Sequence, residues 1–174
     1  MYDTNGSCIV AFQDKDLREV FGTLSSNKRK QHHRRYLDKI DKVKLHDMID
    51  SVFMDDQLYK QYMNVATPHY RQLMRGRILM DLIKSSLLYM QYPQRQSFSY
   101  EGLIAVQILF LRNHIYKKVW GLKNAGFIDE EPIKLRLPKK KLFRMAERLA
   151  NVLELETKKI FPQFMEAIEI DKYY

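Results

Sequence analysis

Six glycines and five prolines in 174 residues leave this chain few places to turn. That scarcity constrains its fold more than any single motif does, because strand-rich sandwiches and barrels carry turn signals every ~8–12 residues. The apolar 45% of the sequence is interleaved with abundant Leu, Met, Lys and Arg, which favour helix. The expectation is an all-α, compact single-domain bundle of six or seven helices with no sheet. One domain over 1–174 suffices, with a C-terminal helical module at 138–174 as the one separable piece, placed after a basic loop.

Helix signals punctuate the chain at regular intervals. Asp14 or Asp16 can cap a short helix carrying Leu17, Val20, Phe21 and Leu24. From about 28 to 53, Tyr36, Leu37, Ile40, Val43, Met48, Ile49, Val52 and Phe53 recur mostly at three- and four-residue steps, which predicts an amphipathic helix. Asp55 or Asp56 caps the next, through about Val65, presenting Leu58, Tyr59, Tyr62 and Met63. Thr67-Pro68 is a cap followed by proline at the first helical position, and the helix it opens runs to about Tyr92, where Pro93 stops it. Ser97 or Ser99 begins a further helix that ends at Gly126. A link that is acidic at Asp129-Glu130-Glu131 and basic from Lys134 onward then precedes two predicted helices, near 139–153 and 156–170, the last bent or divided by Pro162.

The positive charge is unevenly spread. The chain carries +9 overall, with dense clusters at Lys28-Arg29-Lys30 with Arg34-Arg35 and again between Lys134 and Arg148. Clustered cations gain free energy by displacing counterions from phosphates, so a polyanion, nucleic acid above all, is the expected partner. Packed like charges also oppose helix formation unless something neutralises them. A middle group, Arg71, Arg75 and Arg77, surrounds Gly76, with Arg71 and Arg75 on one helix face. The last cluster includes Lys139, Lys140, Lys141 and Arg144.

Residues 142–162 follow this basic loop and carry the pattern Ala146-x-x-Leu149-Ala150-Asn151-x-Leu153, then Ile160-Phe161-Pro162. The stretch, about an eighth of the chain, resembles the last two helices of Cro/repressor-type helix-turn-helix domains. The resemblance implies a DNA-binding role and favours DNA over RNA. Ile108-Leu109-Phe110-Leu111 fills the place of an upstream turn, so base-reading side chains are sought just beyond it, at Arg112, Asn113, Lys117, Lys118 and Lys123. Asn and Arg suit such a task because each can bond a base edge in bidentate fashion.

Other chemistry leaves little trace. The histidines at 32, 33, 46, 69 and 114 lack zinc-hydrolase spacing, Cys8 has no activating neighbour pattern, and no glycine-rich phosphate loop occurs. The expectation is a protein that is not an enzyme and that uses no metal or cofactor. A single cysteine fits a reducing, intracellular setting, in cytoplasm or nucleus. The longest near-apolar run, Leu103 to Leu111, is half what a membrane span needs, so no membrane partner is expected. Tyr89, Tyr92, Phe98 and Tyr100 beside Arg95 offer a base-stacking group, although core packing explains them better. Met- and aromatic-rich helix faces, including Met48, Met54, Met63, Met74, Met80 and Met90, leave protein partners, a homodimer or a place in a larger assembly as the alternative.

Overall fold

The computed structural model describes residues 40–92, 99–134 and 136–173, with side chains to residue 166, and every regular element among them is a helix. Five occur: α1 (Lys42–Phe53), α2 (Gln57–Val65), α3 (Pro68–Gln91), α4 (Tyr100–Asn124) and α5 (Lys139–Tyr173). The helix predicted at 14–24 and the first part of the one predicted from 28 lie outside the described residues.

Capping follows the sequence signals closely. Asp41, Asp56, Thr67 and Ser99 each accept a backbone N–H of the helix they precede, and Pro68 occupies the first position of α3. Gly126 ends α4 at φ +83°, the left-handed region that an L side chain enters only at a cost. Its amide bonds the Lys123 carbonyl at 3.0 Å and the Phe127 amide bonds that of Leu122 at 2.9 Å, the paired closure of a Schellman motif.

One core unites the helices. α5 packs on α1, α3 and α4, α2 packs on α4, and α3 touches α1 and α4. Ile49, Val52 and Phe53 of α1, Tyr59 of α2, Ile78 and Leu82 of α3, Ile104 and Ile115 of α4, and Leu149, Leu153 and Ile160 of α5 are fully buried in one continuous cluster. Val43, read from the sequence as an apolar-face residue, is instead 72% exposed, because the buried stripe of α1 runs through Leu45, Ile49 and Val52.

The predicted division of residues 139–170 into two helices is replaced by one helix of 35 residues. Glu156 and Thr157, where the second predicted helix would begin, instead anchor the continuous helix. Glu156 is buried and accepts the Asp41 amide at 3.2 Å and the Lys159 ammonium at 2.9 Å. Burial pushes its carboxyl up, yet these two donors, with Lys44, outweigh that and hold it below the usual value. Thr157 is buried too and returns its hydroxyl to the Leu153 carbonyl at 2.6 Å, within the same helix. Pro162 sits inside the helix on the exposed side, while Ile160 and Phe164 on either flank are fully buried and keep both halves on the core.

Candidate nucleic-acid interface

The start of the basic link meets α2 and the middle of α4 in one cleft. Leu58 of α2, Leu109, Arg112, Asn113 and Tyr116 of α4, and Ile133, Lys134 and Arg136 of the link line an open cleft of about 320 Å³. The link is held there by Gln61, a buried residue of α2. Its side-chain amide donates to the Glu131 carbonyl and its carbonyl accepts the Ile133 amide, both at 2.9 Å, so one side chain satisfies the backbone of the link on both counts. Lys123 of α4 adds an ion pair to Glu131 at 3.6 Å. These contacts lay the link along α2 and α4 and form the outer wall of the cleft.

The floor and the rim hold cations of different standing. Arg112 faces Asp56 through two bonds, Nε to Oδ2 at 2.6 Å and Nη2 to Oδ1 at 3.2 Å, with only 13% and 3% of the two side chains exposed. Asp56 also caps α2 through the Leu58 amide at 3.1 Å, so this pair ties α4 to the start of α2. The charge of Arg112 is thereby committed inside the fold. Arg75 is committed likewise: its Nε bonds both carboxylate oxygens of Asp50 at 2.9 and 3.1 Å, and Asp50 accepts the Tyr59 hydroxyl at 2.8 Å. The hydrogen bond to Asp50 raises the guanidinium still further above its ordinary value, and burial, followed by the bond to Asp50, raises the Tyr59 phenol.

Lys141 and Arg148 of α5 fasten that helix to the end of α1 and the turn that follows it. Lys141 donates to the Asp55 carbonyl, and Arg148 bonds the Ser51 hydroxyl at 2.7 Å and lies 3.9 Å from Asp55. By contrast, Lys134, Arg136, Lys139, Lys140 and Arg144 are exposed and make no ion pair among the described residues. Lys139 lies 5.9 Å from the centre of the Phe143 ring. Lysines in the first turn of α5 stand at the positive end of its dipole, with no acidic residue in that turn to offset them.

On α4, Asn113 and Lys117 are exposed four residues apart, with Tyr116 and Trp120 beside them at 6.4 Å between ring centres, edge to face. Lys123 reaches over the Trp120 ring at 5.5 Å. Lys118 is exposed as well, and together with Lys117 of α4 and Arg77 of α3 it flanks His114. Burial first, then these positive charges, hold the His114 imidazole below its ordinary 6.5. Arg71 is half-buried on α3, outside the cleft lining.

The predicted cluster at Lys28, Arg29, Lys30, Arg34 and Arg35 lies outside the described residues, as do Arg95 and Phe98. Of the aromatic group near them, Tyr100 is buried with its hydroxyl 2.6 Å from that of Ser86, and Tyr89 stands edge-on to it at 5.3 Å, so these rings belong to the packing. Sequence reasoning misses Gln61 and Tyr116. A lone buried Gln has no sequence signature, but Tyr116, three residues from Asn113 on a basic helix face, is visible there. Among the described residues no group of three His, Cys, Asp or Glu could hold a metal ion, and no helix is long and apolar enough to cross a membrane. No protein-family model, curated protein or solved structure matches the chain.

Proposed function

We propose that the protein is a non-enzymatic nucleic-acid-binding regulator or accessory factor, with DNA favoured over RNA, acting inside the cell. One observation carries the reading: Lys134 and Arg136 stand across a cleft from Asn113, and the exposed Lys139, Lys140 and Arg144 continue the same chain segment without ion-pair partners among the described residues. Cations left unneutralised at the positive end of a helix cost the fold stability, and phosphates would relieve that cost. Lys117 and Lys118 supply further backbone contacts, and Lys28 to Arg35 a second basic segment of the same chemistry. Arg112 and Arg75 enter as supports of the site.

Fluorescence anisotropy with labelled duplex DNA, single-stranded DNA and structured RNA at low and near-physiological salt tests the proposal. The expected result is binding that weakens steeply with salt. Neutralising Lys134, Arg136, Lys139 and Lys140 should make the plot of log affinity against log salt shallower by ~0.9 for each duplex phosphate that these side chains bind. Absence of binding to all three at low salt, or affinity untouched by neutralising both basic segments, sinks it.

The alternative is a helical adaptor or structural subunit. It is favoured by Tyr70 and Leu73, 57% and 54% exposed and three residues apart on α3, and by Phe127 at 77%. Self-association of the purified chain in sedimentation velocity, abolished by Leu73→Asp, together with no nucleic-acid binding, is the result that selects it.

A further inference from the structure

The cleft is the wrong shape for a duplex. A helix that reads DNA lies in the major groove with its reading face open, and a groove ~12 Å wide accepts little else beside it. Here the link at Ile133, Lys134 and Arg136 walls the cleft into which Asn113 and Tyr116 of α4 open. The cleft is open to solvent, and its volume of about 320 Å³ is at the lower end of small-molecule pockets, ~300–1,000 Å³, about the size of one nucleotide.

The lining is divided by chemistry. Lys134 and Arg136 bring positive charge on the link side, Asn113 brings an amide able to donate and accept, and Tyr116 brings an aromatic ring, 6.4 Å from Trp120 in an edge-to-face pair. Leu58, Leu109 and Ile133 make the remainder apolar. Single strands are gripped by this combination of cations that follow the phosphates and rings that take the faces of unpaired bases. Paired bases in a duplex have no free face to offer. The ion pair of Arg112 with Asp56 at the floor fixes the rotation of α4 relative to α2, and the Gln61 amide fixes the opposite wall, so the cleft is formed before any ligand arrives.

We infer that this cleft takes one unpaired nucleotide of a single-stranded nucleic acid, its base against Tyr116 and its phosphate between Lys134 and Arg136. The inference rests on the nucleic-acid reading above and narrows it to single strands. Trp120, the sole tryptophan of the chain, is a built-in reporter next to Tyr116.

The test titrates the full chain with oligothymidylate, with a duplex of equal length and with inorganic phosphate, following Trp120 emission and anisotropy of labelled strands together. Expected are tighter binding of the single strand than of the duplex, and a Trp120 response to the single strand that phosphate alone does not reproduce. Tyr116→Leu weakens single-strand binding about tenfold and leaves duplex binding unchanged, whereas Tyr116→Phe, which keeps the ring, restores it. Lys134→Ala with Arg136→Ala weakens both ligands. Unchanged far-ultraviolet circular dichroism and urea midpoint certify that each variant is folded. A duplex bound as tightly as the single strand, or Tyr116→Leu without effect in a folded protein, overturns this inference and leaves the broader reading standing. Failure of every nucleic acid to bind overturns both.

Discussion

Arg112 on the cleft floor and Arg136 on its wall are the same side chain placed in opposite circumstances. Arg112 is nearly enclosed and bonded twice to an enclosed carboxylate, while Arg136 is exposed and makes no ion pair among the described residues. The first has exchanged water for Asp56 and cannot give that partner up cheaply, since a buried charge left alone costs several kcal/mol. The second retains its water and its freedom to exchange both for a phosphate. Within one cleft, burial and an acidic neighbour decide whether a cation holds the protein together or remains available to something else.

That contrast has measurable consequences. Arg112→Ala, which strands Asp56, should cost ~3–5 kcal/mol in urea denaturation, against under ~0.5 kcal/mol for Arg136→Ala; equal effects would erase the distinction. Gln61→Ala should cost less, ~1–3 kcal/mol, by leaving backbone groups of the link unpaired. Its distinguishing mark is faster hydrogen exchange at the Ile133 amide while the core amides of α4 stay protected; uniform acceleration would mean that the link is not held locally.

Acid should sharpen the same division. Glu156 has its carboxyl held below the ordinary 4.5, so its contribution is present above that value and is lost as pH falls through the lower folded-state value. Glu156→Gln should flatten the stability profile below pH 4.5, and an unchanged slope would deny Glu156 its anchoring role. The smallest effect has the opposite sign. Lys140→Glu removes a cation from the positive end of α5 and adds an anion there, so it should raise stability by ~0.3–1 kcal/mol while weakening nucleic-acid binding; loss of stability would show that Lys140 has a structural partner after all.

The helices were legible because their ends are written locally. Thr67-Pro68, Ser99 and Gly126 each announce a terminus through a backbone requirement that few residues meet. What was illegible depends on distant partners. Nothing near Glu156 in sequence reveals that it receives the amide of Asp41, 115 residues away, and the sequence reading puts a helix break just before it, at 154–155. The same holds for the basic residues. Sequence ranks Arg112 with Lys117 and Lys118 as exposed cations of one helix, and only the approach of Asp56, 56 residues earlier, separates them. Charge clustering draws attention to the region; tertiary pairing separates the cations committed to the fold from those left exposed.

The unbroken course of α5 also sets a length. Sixteen residues separate Lys140 from Glu156, which at 1.5 Å each amounts to about 24 Å of helix. Glu156 grips the chain at Asp41, the residue that caps α1. α5 is therefore a ruler with a basic cluster at one mark and the anchored start of α1 at the other. The exposed cations of its first turn and the joint that starts α1 thus stand about 24 Å apart along one helix, beyond the ~8 Å over which surface charges act on one another at physiological salt.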